Sequence, residues 1–348
     1  MRKIGITTTV PVEIVLAAGY TPVDLNNVLV SDREPEHLVA IAERAGFPLN
    51  CCSWIKGIYG VCMEKGIDEV ICVTTGDCSN TVMLTEVLKH RELKIITFAY
   101  PQQPGKKEVG NTLEGLAAAL GTTVAEGEKV RESIKAGREL MRELDRLTWG
   151  ENKVSGIENH YWLVSSSDFN GDYKTYCRDV AAVIADAKKR RPYPPDELRL
   201  AYIGVPSVFA KDLYPYFEQC GARAVFNEVQ RQFAMPFFSS CRSLAGQYAN
   251  YTYPYSINGR IADIRREIER RQIDGVVHYV QAFCHRGIGD VIFRETLGTP
   301  ILTLEGNDNF FLTSHVKTRI EAFIDVLERK KRREKENQKY RSGARVNR

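Results

Sequence analysis

Nine of the 348 residues are cysteines, and three of them stand where the chain passes from one kind of element to another. Cys52 opens the segment CSWIKGIYG, Cys78 ends DEVICVTTGDC, and Cys284 ends DGVVHYVQAFC. Cys78 and Cys284 each close an apolar, strand-like run and precede a helical pattern, the place where open α/β sheets bind ligands. A helix N-terminus there offers free N–H groups and positive potential, which favour a thiolate or an anionic group. Three thiolates dispersed along a chain can hold one iron–sulfur cluster and leave one iron open to a substrate.

Each of the three also has an ordinary reading. A free cysteine is often a small buried hydrophobe. Against this, Cys78 is flanked by Asp77 and Ser79, and Cys284 by His285, Arg286 and the glycines 287 and 289, which would let backbone approach a bulky group. Cys51 and Cys52 are adjacent, so only one points into a given site. Cys52 leads directly into a helix and is preferred, with Cys51 a packing residue or reserve ligand. Cys62, Cys72, Cys177 and Cys220 read as structural, and Cys241 in FFSSCRSL is a second reserve ligand. Close C-x₂₋₄-C pairs of the kind used by structural zinc and by ferredoxins are missing, so zinc and a plain electron carrier are the weaker metal readings. The P-loop frame, a G-x-G-x-x-G after a strand and the G-x-S-x-G elbow are also missing. ATP energy, if used, comes from another protein.

The elements that must position these cysteines alternate. In the first half, a short helix around Val12–Leu16 ends at Gly19, TPVDLNNVLV reads as a strand, and 68–73 is a buried strand. Ser79 and Asn80 offer capping oxygens to a helix, and 93–100 is a further strand. Residues 130–147 carry apolar positions at one continuous helical spacing, and 148–158 reads as a loop. After a helix at 173–189 and the break RRPYPPDE, a second series begins at Leu198: strands LRLAYIGVP, ARAVFNEV, DGVVHYVQAFC and TPILTLEG, with helices between and a last helix through Leu327. Strand–helix alternation predicts a parallel sheet in each half. The expected division is an N-terminal α/β domain (1–155), a helical linker (156–197), a C-terminal α/β domain (198–328) and a basic tail (329–348). That tail holds ten Lys or Arg and two Glu, leaving the remainder of a chain of net charge +4 acidic. It reads as a solvated helix extension rather than a nucleic-acid module. No apolar run approaches the length needed to span a bilayer, and Glu13 interrupts the N-terminal apolar stretch, so a cytoplasmic protein is expected.

CSWIKGIYG, VICVTTGDC and DGVVHYVQAFC in this order, with VPVEIVLAAGYTPVDL before them and TPILTLEGNDNFFLTSHVKTRIEAFIDVL after, resemble the 2-hydroxyacyl-CoA dehydratase and benzoyl-CoA reductase family. The resemblance spans most of residues 5–327. It implies two Rossmann-like, flavodoxin-like parallel-sheet domains facing a cleft, and one [4Fe-4S] cluster held by Cys52, Cys78 and Cys284. It implies pairing with a homologous second subunit or a homodimer, and a separate ATP-dependent iron–sulfur activator that delivers a low-potential electron. In the dehydratases of the family that electron makes a ketyl radical on an (R)-2-hydroxyacyl-CoA thioester, and hydroxide then leaves the α-carbon. A branch with a double-cubane cluster has further cysteines where this chain has Tyr251 and Tyr253, so a single cubane is expected.

The rival readings are a reductase of another substrate using the same activated electron, a non-catalytic electron-relay or scaffold subunit, and a zinc-binding or metal-free α/β binding protein. Polar candidates for the cleft are Glu13, Asp77, Asn80, Glu228, His285, Arg286, Glu305 and Asn307. Glu305 and His285 are the catalytic candidates, and every one of the eight competes with a role as cap, surface charge or support.

Overall fold

The computed structural model describes residues 2–346, with side chains described through 337. Among the described residues the strands form two four-stranded sheets. The first contains β1 (Arg2–Ile6), β2 (Tyr20–Asp24), β3 (Glu69–Thr75) and β4 (Lys94–Ala99) in the order β2-β1-β3-β4. The second contains β5 (Leu198–Gly204), β6 (Ala222–Asn227), β7 (Gly275–Gln281) and β8 (Ile301–Gly306) in the order β6-β5-β7-β8. Every pairing is parallel. The two sheets therefore repeat one topology, and each reverses winding direction beside its first strand. The α/β fold with two Rossmann-like units is as expected from the alternation.

The strand interiors are mostly apolar because helices cover both faces, with Arg223 and His278 among the buried exceptions. Ile4, Ile6, Ile71 and Val73 of the first sheet pack on Val109, Leu113 and Leu116 on one side, while Val70 and Cys72 face Ile58 and Leu84 on the other. In the second sheet Leu200, Tyr202, Val277 and Tyr279 meet Leu213, Phe217, Ile320 and Ile324. Along the chain between the two sheets come helices Gly156–Val164 and Tyr173–Lys189 and the 3₁₀ turn Ser165–Ser167. The last helix, Ser314–Val346, carries the basic tail as an uninterrupted continuation. Tail side chains from 338 onward lie outside the described residues. No described helix is long and apolar enough to cross a membrane.

Several boundaries differ from expectation, each for a local reason. TPVDLNNVLV is strand only as far as Asp24. The Asp24 carboxylate then accepts the Asn26 N–H at 3.0 Å and starts a helix, Leu25–Ser31. The spacing over 130–147 belongs to two helices, Val124–Ser133 and Lys135–Trp149, which meet at Ile134; the Tyr173 hydroxyl accepts the Gly137 N–H at 3.0 Å and satisfies the start of the second. The 148–158 loop is cut short by helix Gly156–Val164, which Ser155 and Glu158 open with a reciprocal capping box. Neither Ser79 nor Asn80 caps the helix Asn80–His90; the Cys78 carbonyl accepts the Thr81 N–H instead. Cys284 is not the last residue of a strand: β7 ends at Gln281, and a turn with Phe283 at φ 64° intervenes.

Candidate active site

The C-terminal ends of β1, β2, β3, β5 and β7 converge on one cavity of about 790 Å³ between the two sheets. It opens where both sheets change winding direction, which is where α/β folds bind ligands. From the first sheet it is bordered by Thr7, Asp24, Asp77 and Cys78, and by Cys52 and Trp54 of the following helix; from the second come Ser207, Gln281, Cys284 and Arg286.

The cysteines 52, 78 and 284 thus line a single cavity. Each lies at or just before the start of a helix, where nearby backbone N–H groups pull its pKa down: those of Trp54 and Ile55 at Cys52, of Asn80 at Cys78, and of Arg286 and Gly287 at Cys284. Cys52 precedes helix Ser53–Glu64, Cys78 precedes Asn80–His90, and Cys284 precedes the 3₁₀ turn His285–Gly289. Burial nevertheless pushes the Cys52 and Cys78 thiols up to about 12, with Asp77 adding to the rise at Cys78. Burial raises Cys284 too, against the pull of its N–H partners and of the Arg286 guanidinium. The three sulfurs are near enough for Cys52 and Cys284 both to raise Cys78. Burial thus favours the neutral form of all three thiols, and a cationic centre beside them would favour the thiolates.

Two further side chains lock the geometry across the sheets. Arg286 Nη2 donates to the Gly76 carbonyl at 2.8 Å and Nη1 to the Tyr253 carbonyl at 3.2 Å, and its guanidinium lies 4.2 Å from the centre of the Tyr253 ring. Tyr253 in turn donates to Asp77 Oδ1 at 2.9 Å. On the other side, Gln281 Nε2 donates to Ser53 Oγ at 2.8 Å and to the Asn307 carbonyl at 2.7 Å, and Ser53 Oγ donates to that same carbonyl. Gly76, at φ 93°, makes the turn before Cys78, and a Cβ there would fall 2.8 Å from Pro254 and 2.9 Å from Tyr100. The glycines 287 and 289 have no comparable duty: a Cβ at 287 would meet only ordinary contacts at 3.6 Å. Tyr251 and Tyr253 are buried, and Tyr253 forms part of the cavity wall beside Cys78 and Cys284.

The other sequence candidates separate clearly. Asp77, His285 and Arg286 border the cavity. Burial, followed by Arg286, lowers the pKa of His285, so its ring is neutral. Glu305 is exposed and does not border the cavity, and Asn307 contributes its carbonyl to the Ser53–Gln281 lock rather than its side chain to the wall. Glu13 is buried away from the cavity against Gln247 (2.8 Å) and Tyr248 (2.6 Å), and Glu228 holds Arg260 at 2.6 Å and the Gly204 N–H at 3.1 Å. Asn80 is exposed at its helix start. Cys241 lies elsewhere, its sulfur 3.5 Å from the Gly246 carbonyl, and Cys51 does not reach the cavity wall.

Sequence reasoning missed His160, Asp24, Ser167 and Asp168. Ser167 donates to Asp24 Oδ2 at 2.7 Å, and the Asp24 N–H donates to Asp168 Oδ2 at 2.8 Å. Both carboxyls are buried at the cavity without a cationic partner among the described residues. Burial, then Asp24, raises Asp168 to about 7. The only sequence signal was the polar run SSSD in an otherwise helical stretch.

Two parallel α/β units thus close on one cavity lined by three cysteines from near helix starts. The chain matches the family described as 2-hydroxyglutaryl-CoA dehydratase, D-component, over residues 7–327, and it belongs to that family. It is therefore a component of the dehydratase type. No curated protein matches it significantly.

Proposed function

We propose that the chain is the [4Fe-4S] subunit of a 2-hydroxyacyl-CoA dehydratase, removing water from an (R)-2-hydroxyacyl thioester, and that Cys52, Cys78 and Cys284 hold its cluster. The observation that carries this reading is the convergence of those three cysteines, from both sheets, on one cavity in a chain of this family. Among the described residues no three His, Cys, Asp or Glu side chains gather closely enough to hold a single metal ion. Two buried donors next to the thiols, Trp54 Nε1 and Arg286 Nε, lack partners and would be satisfied by a group that accepts hydrogen bonds. Tyr251 and Tyr253 stand in the sequence where the double-cubane branch has further cysteines, which favours one cubane.

When bound there, such a cluster would pass on the activator's low-potential electron and would offer one iron as a Lewis acid. The chain's own residues do the rest. The N–H groups at the three helix starts and the Arg286 guanidinium stabilise negative charge on sulfur. The apolar cavity wall excludes water from the thioester. A 790 Å³ cavity takes an acyl group and part of its pantetheine arm. Partner proteins are part of the reading: an ATP-dependent iron–sulfur activator, and a second homologous subunit or a second copy. Exposed apolar side chains flank the cysteine segments, with Val82 and Met83 after Cys78 and Phe283, Ile288, Val291 and Ile292 around Cys284. A patch of this kind suits protein contact. The cytoplasm and anaerobic growth fit a cluster with one open iron. Reduction of another thioester by the same electron uses the same site and is the second reading.

The test is iron and acid-labile sulfide on anaerobically purified protein. About four irons per chain are expected, lost in Cys52→Ala, Cys78→Ala and Cys284→Ala and kept in Cys241→Ala. Zinc, or no metal after reconstitution, would sink the proposal. Turnover of 2-hydroxyacyl-CoA with activator then separates dehydratase from reductase.

A further inference from the structure

His160 borders the cavity from helix Gly156–Val164, and a continuous line of buried hydrogen bonds runs from it to a carboxylate on the far side of the fold. His160 Nδ1 lies 3.1 Å from the Tyr214 hydroxyl, and that hydroxyl donates to Asn227 Oδ1 at 2.7 Å. Asn227 Nδ2 donates to Asn159 Oδ1 at 2.7 Å, and Asn159 Nδ2 donates to Asp145 Oδ1 at 3.2 Å. Arg271 clamps Asp145 through two contacts of 2.8 and 2.5 Å and keeps its carboxyl ionised.

The direction of every bond follows from that carboxylate. An ionised Asp145 only accepts, so the Asn159 amide must turn its nitrogen toward it. Asn159 Oδ1 then accepts from Asn227, Asn227 Oδ1 accepts the Tyr214 proton, and the Tyr214 oxygen is left to accept. The one partner able to donate to it is His160 Nδ1–H. Gln230 runs against this direction in the structure, and the tautomer requires its amide to be turned over, which sets its NH₂ where its oxygen now lies without a partner. Its nitrogen stands 3.0 Å from Nδ1 while its oxygen is buried with no partner. Turning the amide over brings the oxygen to Nδ1–H. Nε2 then carries the lone pair, and it makes no hydrogen bond to any described residue. Burial holds the ring neutral, lowering its pKa to about 4.

We propose that His160 is a specificity-determining residue of the cavity, with its Nε2 lone pair aimed by the Asp145–Asn159–Asn227–Tyr214 chain to accept a hydrogen bond from the 2-hydroxyl of the acyl thioester. The substrate half rests on the function proposed above; the tautomer does not. A neutral acceptor at a fixed position distinguishes a 2-hydroxyacyl group from its deoxy analogue, because only the hydroxyl brings a donor to the lone pair that opens on the cavity. Tyr214 and the residues behind it are positioning residues.

Two measurements on the full chain test this. The first is the ¹⁵N spectrum of the histidine rings, tractable with six histidines in the sequence. His160 is expected to be neutral and protonated on Nδ1 at pH 7 in wild type, and to shift toward the Nε2–H form in Tyr214→Phe. A wild-type ring protonated on Nε2, or on both nitrogens, overturns the proposal. The second is calorimetric binding of 2-hydroxyglutaryl-CoA against glutaryl-CoA. Wild type is expected to prefer the hydroxy compound about fivefold to tenfold, the worth of one net hydrogen bond, and Tyr214→Phe to lose that preference with glutaryl-CoA binding unchanged. Equal binding of the two by wild type, or equal loss of both in Tyr214→Phe, overturns the inference and leaves the proposed function standing. Binding of neither compound by wild type fails the thioester reading itself and takes the His160 ligand with it.

Discussion

The Arg286 guanidinium, rooted two residues after Cys284, donates to the Gly76 carbonyl, two residues before Cys78, at 2.8 Å. One side chain therefore fixes the spacing of two thiols carried by different sheets. Its charge faces Asp77 and the Tyr253 ring, and burial of the group is offset by them.

Replacing Arg286 by Met should loosen this tie. The Gly76 and Tyr253 carbonyls lose a charge-assisted partner, at about 1.5–3 kcal/mol. Urea unfolding should show that loss, and iron content per chain should fall with it. Arg286→Lys keeps the charge but not the two-pronged reach, so it should lie between.

Gly76→Ala should be damaging for steric reasons alone. The φ of 93° is unfavourable for alanine, and the added Cβ would meet Pro254 and Tyr100 at 2.8 and 2.9 Å. We expect a loss above about 1–2 kcal/mol, read from the thermal midpoint. An unchanged midpoint would show that the turn can be rebuilt.

The buried Asp168 should make stability fall as pH rises. Its pKa goes from the ordinary 3.8 to about 7 on folding, through burial first and Asp24 second. Between about pH 4 and 7 the folded chain holds a proton that the unfolded chain has released. The favourable contribution is full below pH 4 and is lost as pH passes 7. In Asp168→Asn the slope of unfolding free energy against pH in this window should become less negative, by up to about 1.4 kcal/mol per pH unit. Parallel curves for variant and wild type would refute the assignment.

Arg271 is fully buried between Asp145 and Glu267, which it holds at 2.5 and 2.7 Å. Arg271→Met leaves two buried carboxylates short of their partner and should cost about 3–5 kcal/mol. The same variant should disturb the His160 ring spectrum from across the fold. Unaltered histidine signals in a folded Arg271→Met protein would show that the chain of amides does not depend on its anchor.

The sheets were legible from sequence because parallel strands buried on both faces are short, continuous apolar runs, as in EVICVTT and GVVHYVQ. Boundaries set by single side chains were not. Asp24 ends a strand and starts a helix through one carboxylate, and Ile134 interrupts a helical spacing that stays periodic on both sides. The Cys52–Cys78–Cys284 set could be picked out because each follows or opens an element, where backbone N–H groups are free. Glu305 showed the same local signature at the end of β8 and yet faces solvent, since β8 is an edge strand of its sheet.

Residue order by itself determined the strand–helix alternation, hence two parallel sheets with ligand positions at their C-terminal ends, and it marked the three cysteines. Only the tertiary structure decided that both sheets turn those ends toward one cavity. It also decided that Arg286 and Gln281 bridge the two halves, and that helix Gly156–Val164 brings His160 to the wall. Local periodicity reports which face of an element is buried; it carries no information about which distant element buries it. The hydrogen-bond partners that fix a tautomer or a buried proton come from those distant elements, so they become readable only in the folded chain.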